Sequence, residues 1–205
     1  GLAVFVPGTV PGDRAEVECM ESKKNFARGR ITRLLAPSED RVEPFCPYAE
    51  TCGGCNLQMM SYDAQLALKE KWVTDALVRI GGLENPEVHE IIAMEEPFRY
   101  RNKAQFPVGR TTGDEKKKQA CRIGFYKHKS AEVVNCNICM IQPEPAERVA
   151  EAVRRWVKAT KIPIYDPATG TGVLRHVIVR TAFGTGEVMV ILVAADRRIP
   201  DTELL

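Results

Sequence analysis

No apolar run in the 205 residues is long enough to span a bilayer. The opening GLAVFVPGTVPGD lacks the basic stretch and long apolar core of a secretory signal. The first residue is Gly rather than Met, which fits an internal piece of a longer protein. Internal repeats and low-complexity tracts are also missing, which argues against solenoid and disordered classes. Large net charge is absent as well, at +2, but the charge is unevenly spread. Ten Lys or Arg lie between Arg99 and Lys129, against only Asp114 and Glu115, whereas Glu84 to Glu96 holds five Glu and no Lys or Arg. A balanced total that hides a basic stretch is compatible with a polyanion-binding face; it is equally compatible with a solvated loop tipped by Lys116, Lys117 and Lys118.

What the chain does have is cysteine, in an odd count of seven. A short secreted disulfide scaffold favours even numbers, and here three thiols crowd into CPYAETCGGC, at Cys46, Cys52 and Cys55. Such clustering without a secretion signal points to metal or cluster chemistry in a reducing compartment, and so to the cytoplasm. Gly53 and Gly54 allow the loop to turn tightly around a bound centre. Four thiolates usually hold a [4Fe–4S] unit, so a fourth ligand must come from Cys19, Cys121, Cys136 or Cys139. Cys19 and Cys121 lie in strand-like segments, where a cysteine acts as a small hydrophobe. Cys136 and Cys139 close such a segment, and spacing does not choose between them. Zinc is the rival, because Cys52/Cys55 and Cys136/Cys139 form two C-x-x-C pairs. On spacing alone the two centres stand level. The intervals of five and two residues exclude the cysteine spacing of radical S-adenosylmethionine enzymes.

The pattern of elements is mixed. AVFVP, AEVECM and FARGRITRLL read as short strands punctuated by Pro-Gly and Gly-Asp; carrying basic residues, they suit a small β-barrel of the oligonucleotide-binding type. Ser61 is a natural N-cap for a helix with Tyr62, Leu66, Val73, Leu77 and Ile80 near one face, ended by Gly81 and Gly82. YRNKAQFPVG, CRIGFYK and AEVVN are strand candidates. A second helix is expected from Pro145 to Thr160, with Ala146, Val149, Ala150, Val153 and Val157 inward. GVLRHVIVRTAF and EVMVILVAA, joined by Gly184-Thr185-Gly186, form a hairpin. The expected class is α+β. A β-module spans residues 1–43, a cluster loop with its helix 44–83, and a central α+β domain 84–205.

Taken together these segments resemble one family, the uracil-5-methyltransferases of 23S ribosomal RNA and transfer RNA. VFVPGTVPGD with KKNFARGRI is similar to its N-terminal TRAM domain, a small RNA-binding barrel, here incomplete at its start. CPYAETCGGCNLQMMSYDAQLALK resembles its cluster segment in the CGGC, in Gln58 and in the spacing of Tyr62, Gln65 and Lys69. YRNKAQFPVG, IGFYKHKSAEVVN, CMIQP and GVLRHVIVRTAFGTGEVMVILV resemble its central domain. The resemblance implies a [4Fe–4S] cluster rather than zinc, held by Cys46, Cys52, Cys55 and Cys139, with Cys136 spare. It also implies a parent methyltransferase that uses S-adenosylmethionine in a catalytic domain not matched here. No catalytic residue is therefore assigned, and the piece alone is expected to be inactive.

RNA is the implied partner, ribosomal RNA ahead of transfer RNA, with no membrane and a monomeric state. Lys23, Lys24 and Arg28 in the β-module, Arg101 and Lys103 on a strand, and Lys127 and Lys129 beside Tyr126 are the expected RNA contacts: cations to position phosphates, and a ring to stack on unpaired bases. Phe125, Trp72 and Trp156 read as packing residues. The cluster reads as structural, since metal–ligand bonds couple to folding. The rival reading is a free-standing RNA-binding cluster or zinc protein without catalysis, and the residues that follow Leu205 would discriminate the two.

Overall fold

The structure is a computed structural model, and it describes residues 1–110, 121–197 and 199–204. Lys116, Lys117 and Lys118, together with Asp114 and Glu115, lie outside the described residues. The chain divides into two compact units: Gly1–Phe45 with Cys55–Glu95, and Cys46–Gly54 with Glu96–Leu205.

In the first unit, β1 (Ala3–Phe5), β2 (Arg14–Ser22) and β3 (Phe26–Ala36) form a sheet in the order β1-β3-β2. β1 runs parallel to β3, and β2 antiparallel to it. Gly29 on β3 is needed where β2 approaches: a Cβ there would lie 2.2 Å from Val17 Cγ1. The expected barrel is not what forms. Among the described residues this is an open three-stranded sheet, and Phe5, Met20 and Leu35 remain exposed beside a small core of Val10, Ala27 and Met60. Cys19 is exposed as well, not buried as a strand hydrophobe.

The Pro-Gly turns of this unit close on one carboxylate. Asp13 Oδ2 accepts from the Val10 amide at 2.7 Å, and Oδ1 accepts from the Ser38 amide at 2.9 Å and from Arg41 Nε at 3.0 Å. Arg41 Nη2 completes the ion pair and also donates to the Gly8 carbonyl at 2.7 Å. α1 (Tyr62–Arg79) begins at Ser61, whose hydroxyl accepts from the Ala64 amide at 3.4 Å. Its C-cap is Ile80, just before Gly81 and Gly82. The anticipated inward face does not materialise: no α1 residue is buried, and Trp72, Val73 and Ile80 are exposed.

The second unit is better packed. β4 (Lys103–Arg110), β5 (Cys121–Tyr126), β6 (Val133–Asn135), β7 (Leu174–Thr181) and β8 (Val188–Ala194) form an antiparallel sheet in the order β6-β5-β4-β7-β8. Strand alternation works as period two demands. Ala104 and Phe106 point inward and Lys103 and Gln105 outward, with Val177 and Val179 beside them on β7. α2 (Glu144–Thr160) covers the inner face. Pro143 is its N-cap, Pro145 sits in the first turn, and left-handed Lys161 ends it, the Lys161 amide donating to the Val157 carbonyl at 2.9 Å. Ala146, Ala150, Val153 and Val157 are buried as the periodicity predicts, joined by Trp156, whose Nε1 donates to the Asp201 carbonyl at 3.1 Å. The β7–β8 hairpin turns through Gly186 at φ 76°.

Candidate functional site

The thiol loop of the second unit is built from its own backbone. The Cys46 carbonyl accepts from the Ala49 amide at 3.1 Å, and the Tyr48 carbonyl accepts from the Thr51 and Cys52 amides at 3.0 and 2.7 Å. Two anchors then fix the loop. The Gly53 amide donates to the Tyr126 carbonyl at 2.9 Å, and Cys52 bridges to Lys127. Glycine suits position 53, because a Cβ there would sit 3.0 Å from His128 Cα and 3.2 Å from the Tyr126 oxygen and would press the loop away from β5. The Tyr48 hydroxyl accepts from the Asn137 amide at 3.1 Å, tying the loop to the segment that carries Cys136 and Cys139.

That segment is held from beneath. Glu147 on α2 accepts from the Cys139 amide at 2.8 Å and pairs with Arg99. Arg99, itself at φ 54°, also donates to the Cys139 and Gln142 carbonyls at 3.4 and 3.0 Å. The Cys139 backbone is therefore gripped on both its amide and its carbonyl. Arg154 performs the same service for the neighbouring thiol, donating to the Cys136 and Ile123 carbonyls at 2.7 Å each. Sequence reading counted Arg99 only as surface charge and missed Tyr48, Glu147 and Arg154. Tyr48 stands inside CPYAETCGGC, where attention went to the thiols; for Arg99, Glu147 and Arg154 the signal is the fold itself, since none lies in a recognisable motif.

The electrostatics separate the thiols. A hydrogen bond with the Cys136 thiol, assisted by the Gly54 amide and opposed by burial, brings Cys52 down to about 6, so Cys52 is ready as a thiolate, the form that binds metals. Cys136 is pushed above the ordinary thiol range by that same hydrogen bond and by burial. Burial pushes Cys121 up to about 11, as befits a thiol packed against the core. Cys46, Cys52 and Cys139 belong to the second unit, and Cys55 opens the chain's return to the first. Among the described residues no three His, Cys, Asp or Glu side chains are gathered into a cage for a metal ion. The donor chemistry nevertheless fits a thiolate-bound centre: half-buried cysteines, a tight glycine loop, and an amide aimed at the sulfur of Cys52.

The expected RNA contacts fall into two groups. Lys23 and Arg28 both pair with Glu21, at 3.1 and 3.3 Å, and Arg28 also lies over the Phe26 ring. Lys127 pairs with Glu132 at 2.7 Å. Exposed pairs of this kind are worth little and exchange readily for phosphate. Lys24, Arg101, Lys103 and Lys129 are exposed and have no ion pair among the described residues. Tyr126 is half-exposed on β5, and Lys127 follows it at the anchor of the thiol loop. Phe125 packs against the core, with its ring 5.3 Å from that of Phe106. Trp156 is a packing anchor as expected; Trp72, half-exposed, is not. Partial burial, with neighbouring Arg175, lowers the His176 imidazole below its ordinary range, and Arg175 itself stacks on Tyr165.

Comparison with known proteins follows the same line. No family model matches the chain. An uncharacterized RNA methyltransferase of Clostridium tetani is 42% identical over 204 residues, covering 100% of this chain and 43% of the relative. A second, from Caldanaerobacter subterraneus, is 43% identical over 205 residues, and again 100% of this chain corresponds to 44% of the relative. The chain thus spans less than half the length of these curated relatives. Among solved structures, the Pyrococcus abyssi tRNA (uracil-54, C5)-methyltransferase in complex with S-adenosyl-L-homocysteine superposes with a TM-score of 0.72 at 27% identity, over 99% of this chain and 44% of that one.

Proposed function

We propose that this chain is the RNA-binding and cluster-bearing portion of an enzyme that methylates carbon-5 of a uracil in RNA, a reading supported by its likeness over its whole length to RNA methyltransferases and to a solved tRNA (uracil-54, C5)-methyltransferase. The observation that carries this reading is the match of the whole chain to RNA methyltransferases at above 40% identity. The methyl donor is S-adenosylmethionine, and the methyl-transfer machinery belongs to the part of the relatives this chain does not span. A target uracil inside a helix must leave the stack before its ring carbon can be reached, so the work of this region is to grip and orient the RNA. Lys24, Arg101, Lys103 and Lys129, which have no ion pair among the described residues, offer cations for phosphates, and Tyr126 offers a ring for an unpaired base.

Cys46, Cys52, Cys55 and Cys139 are the thiolates that hold a [4Fe–4S] cluster in this reading. When bound, the cluster supplies a cross-link between the CGGC loop and the distant Cys139 segment, and hence a folding constraint. The protein's own residues prepare for it. Tyr48 and Gly53 set the loop, and Arg99 and Glu147 fix the Cys139 backbone. 23S ribosomal RNA is the substrate the sequence resemblance favours, while the structural neighbour acts on transfer RNA; both are therefore assayed. Whole protein supplied with isotopically labelled S-adenosylmethionine should place label in 5-methyluridine of unmodified 23S ribosomal RNA. Label in transfer RNA alone would correct the substrate, and label in neither would overturn the reading.

A further inference from the structure

We propose that the cleft at the corner of β4, β7 and β8 is a phosphodiester-binding site for the RNA backbone. The proposal rests on the RNA-binding reading above. The cleft has a volume of about 690 Å³ and is lined by Asn102, Lys103, Arg180, Thr181, Glu187 and Met189, among others. Lys103 and Arg180 are direct register partners across β4 and β7. Like charges placed opposite each other on a sheet repel, and among the described residues neither cation has an ion pair to relieve that repulsion. An anion between them would.

Thr181, next to Arg180 on β7, turns its hydroxyl to the other face of the sheet, where it is buried without a hydrogen-bond partner among the described residues, so it lends the wall its backbone only. The Thr181 amide donates to the Asn102 carbonyl at 2.9 Å, which locks these two wall residues together. Glu187 is the one acidic residue of the lining, and its Oε2 accepts from the Thr185 hydroxyl at 2.8 Å. Two cations against one carboxylate leave the wall positive. No aromatic ring lines the cleft, so a free nucleotide would find no stacking surface for its base, and recognition must rest on phosphate. Exposed Met189 offers an apolar edge on which a ribose can lie. Arg101, two residues before Lys103, extends the cationic track along the chain toward Cys139, since the Arg101 amide donates to the Ile141 carbonyl at 3.1 Å.

The test is fluorescence anisotropy of the whole protein with a fluorescein-labelled, uridine-rich RNA oligonucleotide over a salt series. Each single-strand phosphate contact contributes about 0.7 to the slope of log affinity against log salt. Lys103→Ala with Arg180→Ala should weaken binding roughly tenfold and reduce the slope by about 0.7–1.4. Arg180→Lys should keep most of the slope. Lys158→Ala, on the far side of α2, should change nothing. An unchanged or raised melting temperature shows that the double variant is folded. If the wild-type protein binds RNA and the double variant keeps both affinity and slope, the cleft proposal is overturned while the RNA reading stands. Saturable binding of uridine monophosphate with no change in the RNA slope overturns it too. A wild-type protein that binds no RNA overturns the reading beneath it.

Discussion

Asp13 accepts four hydrogen bonds from Val10, Ser38 and Arg41, with a side chain only 2% exposed. The Arg41 guanidinium and these amides hold its carboxyl well below the usual carboxylate range, against the opposing effect of burial. A depressed folded value means that the stabilisation is complete above the unfolded value of about 3.9 and is lost as pH falls below it. Urea midpoints measured through that acid range should therefore fall steeply for the native chain. In Asp13→Asn the unfolding free energy from the same urea series should start lower by roughly 2–4 kcal/mol and show a flatter acid limb; parallel acid limbs would remove Asp13 from the account. At the thiol segment, Glu147→Ala strips both the Cys139 amide and Arg99 of an acceptor. It should cost about 2–3 kcal/mol in denaturant. Arg99→Lys should recover part of the loss in Arg99→Ala, because the Cys139 and Gln142 carbonyls and the Glu147 carboxylate all surround the one Nη1 nitrogen, a set of acceptors that a single ammonium can also face.

Among the elements, the contrast between α1 and α2 shows what the sequence could and could not reveal. Both have apolar residues at helical spacing, and the caps of both were readable, Ser61 for α1 and the prolines for α2. Only α2 buries its stripe, because the stripe meets the inner face of a five-stranded sheet. The stripe of α1 has Val73 and Ile80 in solvent. Periodicity announces a face; whether another element covers it depends on residues far away in the chain. Trp156→Ala should accordingly cost roughly 3–5 kcal/mol, whereas Ile80→Ser should stay within about 0.5 kcal/mol, both read from chemical denaturation. The strands were legible in place and order, with ends displaced by a few residues, as at YRNKAQFPVG against Lys103–Arg110, since alternation and Gly or Pro punctuation are local. Closure into a barrel was not, because it depends on pairing across the whole module. Gly124 is a further position where an element constrains the site. A Cβ there would lie 2.1 Å from the Val134 oxygen and 2.7 Å from the Cys136 nitrogen. Gly124→Ala should thus separate β5 from β6 and expose the amides of Val133 to Asn135 to hydrogen exchange.

Over the whole molecule, the sequence crowds three cysteines into one short loop, and it is the resemblance, not the spacing, that points to Cys139 rather than Cys136 as their partner. Both thiols belong to one short segment: Cys136 reaches Cys52 by a hydrogen bond, while the Cys139 backbone is clamped by Arg99 and Glu147. The residues that prepare the site come from β4's approach, from α2 and from the loop after Cys46, too dispersed for any motif. The most direct test is metal analysis of protein purified without oxygen, with iron, sulfide and zinc assayed beside the visible spectrum for the native chain, Cys139→Ser and Cys136→Ser. The account predicts a brown protein with about four irons per chain and matching sulfide, lost in Cys139→Ser and kept in Cys136→Ser. A colourless protein carrying zinc without sulfide, or a cluster lost in Cys136→Ser and kept in Cys139→Ser, would contradict it.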